Sequence, residues 1–398
     1  MQFLKQIYHF FLAQLGAIIY RHPSRELFVI GITGTKGKTT TAELLYTLLQ
    51  AEGKKTAIIS STAIRYGDEV KKNMTETTMP GRFFIQRFLR HAVRSGCAYA
   101  IVEVTSQGVT HYRHRGIDFD AGLFLNLHPE HIEAHGTFEK YRDAKYTFFL
   151  DIGKHSVKKE KHFFINEHDF NRDHFVRAGR DYGAIIYFNR ETFLKRELDG
   201  KKNMLGQWFM SDFNLENAAA ATSVAQTLGI DWEVIKKTLT QFSGLSGRME
   251  IIQEKPFRFV IDYAHTPDSL EGLYSFLQPR NKTGSMICIL GSAGGGRDIW
   301  KRPKLGEIAA RHCDAIILTD EDSYNEKPEK IFADIRAGIS GKNVHEIIDR
   351  REAMRKGISL AREGDTVVIS GKGSEMWIHG PRRKKIPWSE KAVAEEFL

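Results

Sequence analysis

A short apolar run at 27–32 leads through Gly34, Thr35, Lys36, Gly37, Lys38, Thr39 and Thr40 into a helical pattern that reaches 51. Few strings limit a fold so tightly. A strand that ends in glycines and opens a helix is a phosphate-binding turn. Its glycines let backbone N–H groups approach phosphate oxygens, and the helix start adds the positive end of its dipole. Lys38 can bridge the terminal phosphates and Thr39 can ligate Mg²⁺. The spacing departs from G-x-x-x-x-G-K-[ST]: Ile32 stands where the first glycine belongs, flanked by Gly31 and Gly34.

Further strand-like runs at 56–60, 98–104, 121–127 and 184–188 alternate with helical patterns at 42–51 and 83–95, and a helix at 214–228 closes the series. Such alternation predicts a parallel sheet covered on both faces by helices. After Gly244 to Gly247 a second series begins, with strands at 258–261, 285–290, 315–318, 344–347 and 366–369. Helices at 269–277, 302–311, 329–339 and 353–363 lie between them. The fold class is therefore α/β: a central P-loop ATPase domain with a parallel sheet, followed by a Rossmann-like C-terminal domain. The expected divisions are an N-terminal hydrophobic helix over 1–26, the ATP-binding domain over 27–245 and the C-terminal domain over 246–398.

Within the first segment Leu4, Ile7, Phe11, Leu15, Ile18 and Ile19 recur at helical spacing, while Lys5, Gln6, His9 and Gln14 interrupt the run. It reads as neither a signal peptide nor a clean span. Its apolar stripe predicts packing against the same protein or a partner, with a membrane-surface helix or a true anchor as the alternatives. Net charge is 58 − 49 = +9, which favours anionic partners. The basic runs 154–161 and 382–385 read as solvated surface, and no aromatic–basic stripe supports a nucleic-acid partner. Cys97, Cys288 and Cys313 are odd in number and form no CxxC pair, so the expectation is no disulfide framework, no thiolate zinc site and a cytoplasmic location.

Several acids and bases sit where chemistry is placed in such folds. Glu103 ends the apolar run AYAIVEV, at the carboxyl edge of a sheet, where a Mg²⁺ ligand is useful. His128, His131 and His135 cluster with Glu130 and Glu133, but Ile132 occupies the position where H-E-x-x-H requires glutamate. Lys145 alone is an ordinary lysine. Asp262 ends the run RFVID, again at a carboxyl edge.

The strings TETTMP, EVTSQ, NLHPEHIEAHG, YRDAK, FNLENAAAA, GRME, DYAHTPD, GRDIWKRP and GKGSE occur in this order between 75 and 375. With the loop T-G-T-x-G-K-T they resemble the Mur ligase family, from about residue 28 to the C-terminus, and most of all its members that add the third residue of the peptidoglycan stem peptide. The resemblance implies an ATP- and Mg²⁺-dependent ligase in which γ-phosphoryl transfer makes an acyl phosphate that an amine then attacks. By the same resemblance Lys38, Glu103, His131 and Lys145 are catalytic. Thr39, Glu103, His131 and a carbamylated Lys145 hold metal, and Asn217, Arg248 and Asp262 contact the nucleotide beside the loop residues 34–40. Thr77, Thr78, Thr105, His111 and Arg113 match contacts to a muramoyl-peptide acceptor ending in D-glutamate. Arg297, Asp322, Tyr324, Gly371 and Glu375 fall in the segments that receive the incoming amino acid.

There are departures. Thr105 replaces the usual serine, His111 a glutamine, Gln107 a histidine and Ser374 another histidine. Relatives carry a uridine-gripping domain ahead of the first strand, where only residues 1–26 stand here, so a dedicated uridine grip is expected to be absent. Diaminopimelate-using relatives carry Asp-Asn-Pro-Arg where Glu321, Asp322, Ser323 and Tyr324 stand; without the arginine, the two acids would suit a side-chain amine. The rival readings are a ligase for a cyanophycin-like or folylpolyglutamate-like acceptor, and a nucleotide-dependent scaffold.

Overall fold

The computed structural model describes residues 2–75, 77–278 and 284–398. The chain divides into two compact units, Met1–Ser243 and Gly244–Leu398, each built on its own sheet. In the first unit the strands are β1 (Phe28–Thr33), β2 (Thr56–Ile59), β3 (Ala63–Tyr66), β4 (Glu69–Lys72), β5 (Tyr99–Glu103), β6 (Ala121–Phe124), β7 (His162–Asn166) and β8 (Ala184–Phe188), in the order β4-β3-β2-β5-β1-β6-β7-β8. The pairs from β2 to β8 are parallel, and β3 and β4 add an antiparallel edge. Because β1, β2, β5 and β6 are buried on both faces, they read as unbroken apolar runs. The short edge strands β3 and β4, and β7, were not expected from the sequence.

β1 lies between β5 and β6 and feeds the phosphate loop. The helices around it are α1 (Gln2–Ile19), α2 (Lys38–Ala51), α3 (Arg82–Arg94), α4 (Ser106–Thr110), α5 (Ile132–His135) and α6 (Phe138–His155). α6 lies close on the sheet because Gly31 of β1 stands beside Gly122 of β6. A Cβ at Gly31 would fall 2.4 Å from the Phe148 ring, and one at Gly122 2.8 Å from Ile152. α1 is docked through its small residues: Ala13 and Ala17 are buried, and Gly16 faces Gln86 and Phe83 of α3. No helix among the described residues is long and apolar enough to cross a membrane.

The second unit holds β9 (Glu250–Gln253), β10 (Arg258–Asp262), β11 (Met286–Leu290), β12 (Ala315–Leu318), β13 (Asn343–Glu346) and β14 (Thr366–Ser370), in the order β13-β12-β11-β14-β10-β9. Every pair is parallel except β9 with β10. One expectation is corrected here. Cys288 in β11 and Cys313, just before β12, form a disulfide with Cα atoms 5.9 Å apart. Parallel pairing brings the ends of adjacent strands together across a whole crossover helix, so no short spacing motif could announce it. Cys97 is free and buried.

Candidate active site

The loop after β1 is closed by bonds to distant segments. Lys38 Nζ donates to the carbonyls of Gly34 (2.8 Å) and Thr35 (2.9 Å). Asn126 clasps Lys36 from both sides, accepting from its N–H at 2.9 Å and donating to its carbonyl at 3.2 Å. Thr35 Oγ1 lies 2.9 Å from the Tyr141 hydroxyl and accepts from His128 N–H. Gly37 caps α2 with φ +80°, and a Cβ there would stand 2.3 Å from Asn217 Oδ1, which accepts from Thr41 Oγ1. Thr40 is buried at the same helix start.

Glu103, fully buried at the end of β5, accepts from Thr39 Oγ1 at 3.1 Å and from Ser61 N–H at 3.0 Å. Thr39 and Ser61 hydroxyls are 2.7 Å apart. Lys145 projects from α6 with its Nζ 2.8 Å from the Gly34 carbonyl and 4.8 Å from the centre of the Tyr141 ring. Burial, and then the neighbouring Lys38, pushes its pKa well below the usual lysine range, against the pull of Glu130. His131 caps α5 in a left-handed conformation (φ +54°), its ring 6.2 Å from that of Tyr141. His135 bonds Ser106 Oγ at 3.1 Å, and its pKa is lowered by burial and by His131, Lys145 and His111. The structure thus gathers Lys38, Thr39, Glu103, Lys145 and the histidine cluster around one loop. Asn126, Tyr141 and Ser61 belong to the same framework and carried no separate signal in the sequence.

The segments around Thr77 and His111 are laced together. Arg113 donates to the Met79 carbonyl and Arg82 to the His111 carbonyl. Arg82 was not singled out from sequence, yet its Nε is buried without a hydrogen-bond partner among the described residues, and its guanidinium is near enough to Arg113 to feel its charge. Burial, then Arg113 and Arg82, lowers the His111 pKa, favouring the neutral ring. Thr105 Oγ1 accepts from Gly108 N–H at 3.0 Å and so caps α4. Thr77 is exposed and Thr78 half-buried.

In the second unit Asp262 accepts from Met249 N–H and Ala264 N–H, both at 2.6 Å, while burial raises its pKa against the nearby Arg248. The Arg248 guanidinium lies 4.0 Å from the centre of the Tyr263 ring. Asp322 is not the open acid that the sequence suggested: it accepts from Lys372 Nζ at 3.0 Å and from His379 N–H at 2.8 Å. Lys372 also donates to Glu375 at 2.5 Å, and Tyr263 hydroxyl bonds Glu375 at 3.1 Å. Arg297 stacks 4.7 Å from the Tyr324 ring centre. Glu321 is buried against Gly371, where a Cβ would fall 2.4 Å from its Oε2, and burial raises its pKa.

A strand–loop–helix phosphate cradle on a parallel sheet, followed by a second α/β unit, defines a P-loop nucleotide-binding enzyme. Residues 32–225 match the Mur ligase middle domain, and residues 247–373 match the Mur ligase, glutamate ligase domain. A UDP-N-acetylmuramoyl-L-alanyl-D-glutamate--2,6-diaminopimelate ligase of Halalkalibacterium halodurans is 33% identical over 97% of this chain and 81% of its own length. A UDP-N-acetylmuramyl-tripeptide synthetase of Roseiflexus sp. is 35% identical with the same coverage. The solved structure of a UDP-N-acetylmuramoyl-L-alanyl-D-glutamate--2,6-diaminopimelate ligase superposes with a TM-score of 0.58 at 28% identity, covering 93% of this chain and 78% of that one. The chain belongs to the Mur ligase family and is an ATP-dependent amide ligase.

Proposed function

We propose that the chain joins an amino acid to the D-glutamate γ-carboxylate of a muramoyl-L-alanyl-D-glutamate acceptor, with ATP activating that carboxylate as an acyl phosphate. The observation that carries this reading is the buried Lys145, held 2.8 Å from the Gly34 carbonyl of the phosphate loop. A lysine whose burial favours the neutral amine can capture CO₂, and the resulting carbamate is an added carboxylate beside the nucleotide phosphates.

The donor set fits Mg²⁺. Thr39 Oγ1 and the Glu103 carboxylate stand 3.1 Å apart beside the loop, oxygen donors of the kind Mg²⁺ takes alongside water and substrate phosphates. Thr39, Glu103, the Lys145 carbamate and His131 would hold it, and its chemistry there is neutralisation of phosphoryl charge. Lys38, turned onto the loop, places a cation where the terminal phosphates lie, and residues 34–40 offer N–H groups at the start of α2. Asn217 stands against the loop; in the second unit, Arg248 and Asp262 are nucleotide-binding candidates by the family resemblance.

On the acceptor side, Arg113 and Arg82 supply guanidiniums that bond carbonyls and, among the described residues, no carboxylate, suited to an anionic acceptor, with Thr77, Thr78, Thr105 and His111 as the other acceptor candidates. For the amino acid, Arg297 is the partner for its carboxylate and Glu375, with Gly371, for its ammonium, while Tyr324 and Asp322 shape the surroundings. The test is phosphate release and product mass with muramoyl dipeptide and a panel of amino acids, with and without a uridine nucleotide on the acceptor. A single amide product from one amino acid is expected. Turnover only with a folate-like or aspartate-polymer acceptor would assign a different substrate, and nucleotide binding without any ligation would leave the scaffold reading.

A further inference from the structure

α1 turns an uncommon face outward. Ala13, Gly16 and Ala17 take the buried side, while Tyr8, Phe11, Leu15, Ile18 and Ile19 are exposed, Phe11 by 65% and Ile18 by 61%. Spaced at three and four residues, these side chains form one apolar stripe along the helix. Phe83 of α3, near Gly16, widens it. The adjoining solvent face of α3 carries Arg87, His91 and Arg94, all exposed, and Arg21 is exposed just beyond α1. Neither residues 1–25 nor residues 80–102 contain a single aspartate or glutamate. Arg90 ties α3 to the chain just after α1 through the carbonyls of Tyr20 and Arg21 and pairs with Glu26, and His91 lies 3.6 Å from Glu69.

Three occupants could cover such a stripe, and charge separates them. A second copy joined by a two-fold axis would set Arg21, Arg87 and Arg94 of each chain against the same basic surface, whose acids Glu26 and Glu69 already pair with Arg90 and His91, a like-charge contact that opposes association. An ordinary apolar protein groove leaves the basic border unexplained. An anionic bilayer satisfies both parts: the aromatic and aliphatic side chains enter the interface while the arginines meet lipid phosphates. We propose that the α1–α3 face docks the protein on an anionic phospholipid surface. The His9 ring on α1 packs 5.6 Å from that of His111, so the docking face backs directly onto the segment that carries Arg113. The docking itself does not depend on which acceptor is used.

The test is co-sedimentation of the full chain with extruded vesicles of phosphatidylcholine alone or of phosphatidylcholine and phosphatidylglycerol at three to one. Binding to the anionic vesicles is expected to be at least ~10-fold tighter and to weaken as salt is raised. Phe11→Glu/Ile18→Glu should lower it by at least ~10-fold, through the lost apolar insertion. Arg87→Ala/Arg94→Ala should lower it about 5-fold per charge on anionic vesicles and leave neutral ones unaffected. Both double variants should keep wild-type circular dichroism and wild-type turnover of a water-soluble acceptor. The inference is overturned if the wild-type chain stays in the supernatant, or if it binds both compositions equally. It is also overturned if light scattering shows a dimer that Phe11→Glu/Ile18→Glu dissociates, because the stripe then serves a second copy.

Discussion

Gly37→Ala probes the phosphate loop at its tightest point. The residue caps α2 at φ +80°, and an added methyl stands 2.3 Å from Asn217 Oδ1. A left-handed backbone costs alanine about 1–2 kcal/mol relative to glycine. Displacing the Asn217 amide adds about 1–3 kcal/mol of overpacking. The bond from Thr41 Oγ1 to that amide oxygen, 3.2 Å long, is lost as well, at about 1 kcal/mol. Gly53 supplies the control, since it has φ +72° with nothing within 4 Å of a built Cβ; Gly53→Ala carries the backbone cost alone. Urea unfolding should therefore place Gly37→Ala about 2–4 kcal/mol below Gly53→Ala, through a shift of midpoint at constant slope. Adding Asn217→Ala to Gly37→Ala removes the obstruction and should recover part of the stability. Binding of a fluorescent ATP analogue should weaken by at least ~10-fold in Gly37→Ala and stay unchanged in Gly53→Ala. Equal destabilisation by the two glycine substitutions would refute the close approach of the loop to the helix Asp212–Thr227.

Other expectations follow from the same geometry. Glu103→Gln preserves shape and removes charge, so steady-state phosphate release should fall roughly 100-fold or more while Mg²⁺-free nucleotide binding holds. Lys145→Ala should abolish turnover and regain part of it with a short-chain carboxylate; full activity without rescue would reject a carbamate in the site. In the second unit, hydrogen bonding from the buried Arg302 is the main cause that lowers the Glu326 pKa from 4.5 to about 2. A depressed carboxylate pKa stabilises the fold above the unfolded value and loses that contribution as pH falls through the folded one. Glu326→Gln should thus destabilise the protein above pH 4.5, with the difference from wild type vanishing as pH approaches 2; a constant difference across that range would contradict the ion pair.

The elements visible in the sequence are those whose signal is local. The run into the loop and α2, the largely apolar β5 and β6, and β10, β11, β12 and β14 of the second series announce themselves because strands buried on two faces need no partner to look apolar. β3 and β4 escape notice because an edge hairpin such as AIRYGDEV lacks that run. The framework of the site was hidden for a different reason: Thr35 meets Tyr141 across 106 residues and Lys36 meets Asn126 across 90. Asp322 read as an available acid because Lys372, its buried partner, lies 50 residues further on. The disulfide was missed on the same ground, since spacing alone does not reveal which strands become neighbours.

The paired glycines under α6 have a mechanical consequence. Gly31 and Gly122 act as a shim of zero thickness, letting the helix rest on the bare backbone of β1 and β6. Lys145 hangs from that helix, and its chain of methylenes has a fixed span. A methyl under the rings of Phe148 and Phe149 would jack the helix upward and lift the amine away from the loop it now touches. The reach of that buried amine is set, on this account, by two residues that have no side chain at all.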